Sequence, residues 1–102
     1  MLPLVFHPEA LEELHLAPLY YYENDLSEVG DALVAELNRA LDEVTASPRR
    51  WKKILENIHS YGPTRKFKWR IVYLERAREI FVLAAYFSGE EDPLYWIERL
   101  AG

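Results

Sequence analysis

The chain of 102 residues contains no cysteine. Disulfides and thiolate metal sites are therefore excluded, and a reducing compartment is compatible with the composition. The three histidines, His7, His15 and His59, are scattered without metal-ligand spacing, so no metal or cofactor is expected. No apolar run reaches 18 residues, and no charged leader with a cleavage site precedes the first apolar stretch. The expectation is a cytoplasmic protein with no membrane span or signal peptide. Base is also scarce over much of the chain. Residues 1–48 carry ten acids against one base, Arg39, a balance of −9.

The missing base is concentrated in the middle. Residues 49–78 carry ten Lys/Arg against two acids, a balance of +8, and residues 79–102 return to −4. Two readings of this asymmetry stay open: an anionic partner for the middle segment, or compensation by the acidic part of the chain. Half of the residues are hydrophobic and 14% are aromatic, enough for one core in a single domain spanning 1–102.

"LPLVF" (2–6) reads as an edge strand, where Pro3 is tolerated. The period then becomes helical, with Ala10, Leu14, Ala17 and Tyr21 on one face and Pro8 in the first turn. Pro18 predicts a kink or break, because it removes a backbone bond and clashes with the preceding turn. "DLSE" (25–28) has the spacing of a capping box for a second helix, whose apolar face is Val29, Leu33, Leu37, Ala40, Leu41 and Val44. Pro48 ends it, and the two helices are expected to form a hairpin. The tyrosines at 20–22 read as packing and helix surface.

Trp51 anchors the stretch 49–64, in which Ile54, Leu55 and Ile58 fit either a strand or a turn of helix. "SYGPT" (60–64) is turn chemistry. Phe67, Trp69, Ile71 and Tyr73 alternate with Lys66, Lys68 and Arg70 as in a strand. "ERARE" (75–79) reverses the chain, and "IFVLAAYF" (80–87), apolar on both faces, reads as a central strand. A last helix over 94–100 is expected to bury Trp96 and Leu100. The predicted fold is α+β: an N-terminal two-helix hairpin packed on a small antiparallel sheet, with a short C-terminal helix.

Several of these segments, in this order, resemble the RelE/ParE superfamily of toxins from type II toxin–antitoxin (plasmid stabilisation) modules. They are "HPEA" opening the first helix, "SP" followed by Trp51, "RKFKWRIVY" (65–73), "IFVLA" (80–84) and "DPLYW" (92–96). The resemblance covers nearly the whole chain. It implies a growth-inhibiting toxin, a cognate antitoxin that wraps the sheet and helices, and DNA gyrase or ribosome-bound mRNA as target. For the RNA-cleaving members it implies basic side chains around the scissile phosphate. Arg70 matches an arginine that stabilises transition-state charge, and Tyr95 matches a C-terminal tyrosine that stacks on a base or assists proton transfer. These two are the candidate catalytic residues. Arg65, Lys66 and Lys68 are candidates for binding the target or nucleic acid.

The chain also departs from the pattern. A family proline is Lys68 here, and the paired lysines of the preceding strand fall near Tyr61 and Pro63. The family ending, His-x-basic-basic-x-Pro, reads Ser88, Gly89, Glu90, Glu91, Asp92, Pro93. Asp92 and Pro93 suit the N-cap and first position of the last helix, and Glu90 and Glu91 suit its positive end. At about 6 Å and an effective dielectric of about 20, each carboxylate beside a scissile phosphate costs on the order of 2–3 kcal/mol. The sequence thus favours ParE-like target binding over efficient mRNA cleavage. A ribosome-dependent endoribonuclease and a non-toxic protein retaining only antitoxin binding are the alternatives.

Overall fold

The computed structural model describes residues 1–89 and 94–101. It contains β1 (Leu4–Phe6), α1 (Pro8–Leu16), α2 (Leu19–Glu23), α3 (Ser27–Ala46), β2 (Lys52–Leu55), β3 (Ile58–Tyr61), β4 (Trp69–Glu75), β5 (Ile80–Phe87) and a 3-10 turn, Ile97–Leu100. The five strands form one sheet in the order β1-β5-β4-β3-β2. β2 to β5 run antiparallel, and β1 joins the edge of β5 in parallel. The fold is α+β, a helix pair on a sheet. None of the described helices is long and apolar enough to cross a membrane.

The helix pair starts and breaks where its chemistry requires. His7 caps α1, its Nδ1 accepting from the Glu9 N–H at 3.1 Å, and Pro8 occupies the first turn. Pro18 separates α1 from α2, as expected of a residue that cannot donate in the ladder. The capping box at Asp25–Glu28 does not form. The Leu26 N–H is already bound to the Tyr21 carbonyl at 2.8 Å, which closes α2 and makes Leu26 the N-cap of α3, with no side-chain cap. Asp25 is left in the reversal at φ 59°, a conformation that aspartate tolerates better than most residues. α2 then packs tightly on α3. A Cβ on Gly30 would lie 2.6 Å from the Tyr22 ring, and the Tyr22 hydroxyl donates to Asp31 at 2.7 Å.

The alternation of β4 divides the core in two. Ile71 and Tyr73 face the helices and pack with Ala10, Ala40, Val44, Ile80, Val82 and Ala85. Val72 and Leu74 face the other way and pack with Ile58, Leu83, Ala84, Tyr86 and Trp96. The register slips after Val72↔Ala84, since Tyr73 pairs with Val82. The extra residue, Leu83, lets Leu83 and Ala84 both serve the second cluster. β5 lies between β1 and β4, which explains its apolar character on both faces.

Two expectations about the sheet are decided or corrected. The open choice at 54–58 falls to a β-hairpin, β2–β3. The strand expected from Lys66 begins only at Trp69. Thr64 closes residues 64–69 into a turn: its N–H donates to the Trp69 carbonyl at 2.8 Å and its Oγ1 accepts from the Trp69 N–H at 2.9 Å. Lys68 sits at φ 61°, and Glu36 of α3 accepts from the N–H groups of Lys66 and Phe67 at 3.1 and 2.8 Å. A helix carboxylate and a threonine therefore override a strand-like alternation.

At the C-terminus, the expected helix over 94–100 is one 3-10 turn. Trp96 is fully buried, as expected, but Leu100 is 45% exposed. The segment is held by side chains reaching the edge of the sheet, not by a ladder of its own. Its expected capping by Asp92 and Pro93, and the placing of Glu90 and Glu91, lie outside the described residues.

Candidate functional site

On the sheet face opposite the helices, side chains from four strands line a concavity of about 390 Å³. The pairing registers assemble it. Lys52 on β2 stands opposite Ser60 on β3, and Arg70 on β4 stands opposite Tyr86 on β5. Ile54 adds an apolar contact, and Ser88 and Leu94 lie on the rim. The Arg70 guanidinium donates to the Gly62 carbonyl at 3.2 Å. Gly62 has φ 114°, and a Cβ there would lie 2.6 Å from the Trp69 carbonyl, so the position that holds Arg70 admits no side chain.

The site is cationic. Among the described residues neither Lys52 nor Arg70 has an ion-pair partner, and no carboxylate lines the concavity. Burial pushes the Tyr86 phenol up, and the neighbouring Arg70 charge only partly opposes this. Tyr86 therefore remains a hydrogen-bond donor at neutral pH. Two positive charges and three hydroxyls suit an anionic group such as a phosphate or carboxylate. Among the described residues, the lining contains no histidine or acid to act as a general base.

Tyr95 does not join Arg70 there. It lines a neighbouring concavity with Trp69 and Phe87, and Tyr86 is the wall common to both. The Tyr95 ring meets Tyr86 edge-on, with centroids 5.4 Å apart. Its hydroxyl donates to Glu13 of α1 at 2.6 Å. Glu13 also accepts from the Ala85 N–H at 3.0 Å and, through both carboxylate oxygens, from Arg99 at 2.9 Å. Arg99 in turn donates to the Leu83 carbonyl at 2.8 Å. β1 pairs with β5 only as far as Val82, so Glu13 and Arg99 satisfy β5 edge groups that β1 does not reach. Burial alone would raise the Glu13 pKa. The donors from Arg99, Tyr95 and Ala85 outweigh it and hold the carboxyl below its ordinary value.

Arg65, Lys66 and Lys68 lie exposed on the turn before β4, and none of the three is among the residues that line the concavity with Arg70. Arg65 borders a separate polar hollow of about 600 Å³ with Glu36, Arg39, Glu43 and Tyr61. There the Tyr61 hydroxyl donates to Glu43, and burial followed by that bond pushes the Tyr61 pKa up to about 12. The Lys66 ammonium lies over the Phe67 ring, 5.4 Å from its centroid. Lys68 is tied to the concavity through its backbone, its carbonyl accepting from the Ser88 N–H at 2.8 Å.

The charge asymmetry has a partial resolution. Arg49 pairs with Glu75 and Arg76 with Glu79, both within or beside the basic segment. Among the described residues no ion pair joins that segment to the acidic N-terminal part. Compensation by the acidic helices is thus not made through ion pairs. The histidines take other roles. His59 stacks on Tyr73 at 5.4 Å with its Nδ1 2.9 Å from the Trp51 carbonyl, and His15 lines an apolar groove of about 290 Å³ between α1 and α3, above Phe6. No group among the described residues is arranged to hold a metal.

Sequence reasoning missed Lys52, Ser60, Tyr86, Glu13 and Arg99. Lys52 and Ser60 depend on the undecided hairpin. Tyr86 looked like one more core residue of an apolar strand. Arg99 carried a signal, being the lone base among residues 79–102. No protein-family model matches the chain, and no curated protein does.

Proposed function

We propose that this protein is the toxin of a type II toxin–antitoxin pair and acts by binding an anionic surface of its target, without efficient cleavage of RNA. The observation that carries the binding reading is the placing of Lys52 and Arg70, both without ion-pair partners among the described residues, in one concavity on the open face of the sheet. Cleavage of RNA needs a group to take the 2′-hydroxyl proton and another to protonate the leaving oxygen. Tyr86 is held protonated, and the Tyr95 hydroxyl is bound by Glu13. The site is therefore better suited to neutralising charge than to moving protons. DNA gyrase is favoured over ribosome-bound mRNA as the target. The apolar groove between α1 and α3, beside exposed Leu11, is the surface assigned to the cognate antitoxin.

The experiment is a pair of assays on purified protein: DNA supercoiling by gyrase, and primer extension on mRNA from a cell-free translation system. Inhibited supercoiling that is relieved by Lys52→Ala or Arg70→Ala, with no mRNA cuts, supports the proposal. Codon-specific cuts abolished by Arg70→Ala or Tyr95→Phe would replace it with an endoribonuclease.

A further inference from the structure

We infer that Glu13 is a positioning residue of the cationic concavity, acting through Tyr95 on the wall formed by Tyr86; this rests on the anion-binding role of the concavity proposed above. The chain of contacts is continuous. Glu13 accepts from the Tyr95 hydroxyl at 2.6 Å, Tyr95 meets Tyr86 edge-on at 5.4 Å, and Tyr86 stands opposite Arg70 across the β4–β5 ladder. Glu13 itself has little freedom. Ala85 N–H, Tyr95 and the two terminal nitrogens of Arg99 occupy its two oxygens, so the carboxylate is fixed to the strand that carries Tyr86.

Fixing this wall has a chemical purpose. A ring whose hydroxyl reaches a cavity directs that hydroxyl only as well as every edge of the ring is held. Tyr86 is 8% exposed and packed in the second cluster, so Tyr95 fixes only the edge of the ring left outside that packing, and Glu13 fixes the Tyr95 hydroxyl. Preorganised donors bind an anion with less ordering cost than mobile ones. A carboxylate that does not line the concavity therefore sharpens a site for anions.

The test uses Glu13→Gln, which keeps the side-chain shape, and Tyr95→Phe, which removes only the hydroxyl. Two readouts are taken on the full-length protein. Tyrosine-ring and arginine side-chain NMR signals report the wall directly. Both variants should shift the signals of Tyr86 and Arg70 and leave that of Tyr22, whose hydroxyl is bound to Asp31, in place. Binding of a short fluorescein-labelled single-stranded DNA, used as a polyanion probe, should weaken roughly threefold to tenfold in each variant, and the double variant should be no worse than the weaker single one. Unshifted Tyr86 and Arg70 signals in both variants overturn the inference, as does a purely additive loss of binding. If the wild-type protein ignores the probe, the anion-binding reading fails, and the NMR signals alone decide whether Glu13 positions Tyr86.

Discussion

One face of the sheet is filled by helices and the other by a short segment that lays Trp96 and Tyr95 against it. On the first face, Ala10 of α1 and Ala40 and Val44 of α3 close over Ile71, Tyr73 and Val82. On the second, Trp96 covers Val72, Leu74, Leu83 and Ala84. Beyond Trp96 the described residues leave a hollow lined by Lys52 and Arg70, with Leu94 beside it. The difference shows how a small fold reserves a site: helices spread over one face, and a short segment covers the apolar floor of the other.

The comparison is tested most severely at Trp96. Trp96→Ala should destabilise the protein by about 3–5 kcal/mol, because it removes the largest fully buried side chain of the second cluster. Chemical denaturation measures this, and a loss below about 1 kcal/mol would mean that the segment covers little. Trp96→Phe is more discriminating. The indole Nε1 is buried without a hydrogen-bond partner among the described residues. Such a donor costs about 1–3 kcal/mol, so its removal should offset much of the lost packing.

The second effect concerns how the segment is attached. Glu13→Ala would leave Arg99, whose side chain is only 10% exposed, without its bidentate partner. A loss of about 2–3 kcal/mol is expected, below the value for a fully buried broken pair because Glu13 is 23% exposed. This contribution depends on pH. The Glu13 carboxyl is held below its ordinary value in the folded protein. Its stabilisation is complete above the unfolded carboxyl pKa and declines as pH falls through that value toward the lower folded one. Thermal melts of Glu13→Gln should therefore fall less steeply with acidification than those of the wild type.

The smallest expected change in stability is at the open end. Lys52→Ala should move stability by no more than about 0.5 kcal/mol, since its side chain makes no ion pair among the described residues. It should still weaken binding to a polyanion and reduce the dependence of that binding on salt, by about one unit of slope for a phosphate contact. A large stability loss would identify Lys52 as a structural residue and remove it from the site.

Elements with a strong local signal were legible beforehand. The break at Pro18, the apolar face of α3, the central position of β5 and the burial of Trp96 follow from backbone chemistry and from the period of apolar residues. Elements whose form depends on distant partners were not. Phe67 alternates with Trp69 as in a strand, yet Glu36, 31 positions earlier, binds its N–H and holds it in a turn. The Asp25 capping box has suitable residues, but the closure of α2 shifts the start of α3 by one residue. Arg70 was a candidate through a resemblance, whereas Lys52 became one only through the pairing of β2 with β3.

By itself the sequence determined the α+β class, the helix pair, the core strands and the concentration of positive charge between residues 49 and 78, because propensity, periodicity and charge are local or additive properties. Only the tertiary structure decided which of those charges meet. Strand register brings Lys52 and Arg70 into one hollow, turn geometry sends Arg65 to another, and the short reach of β1 leaves a strand edge that recruits Glu13, Tyr95 and Arg99. Hydrogen bonds and ion pairs act over a few ångströms, so they are set by which segments become neighbours in space and not by their distance along the chain.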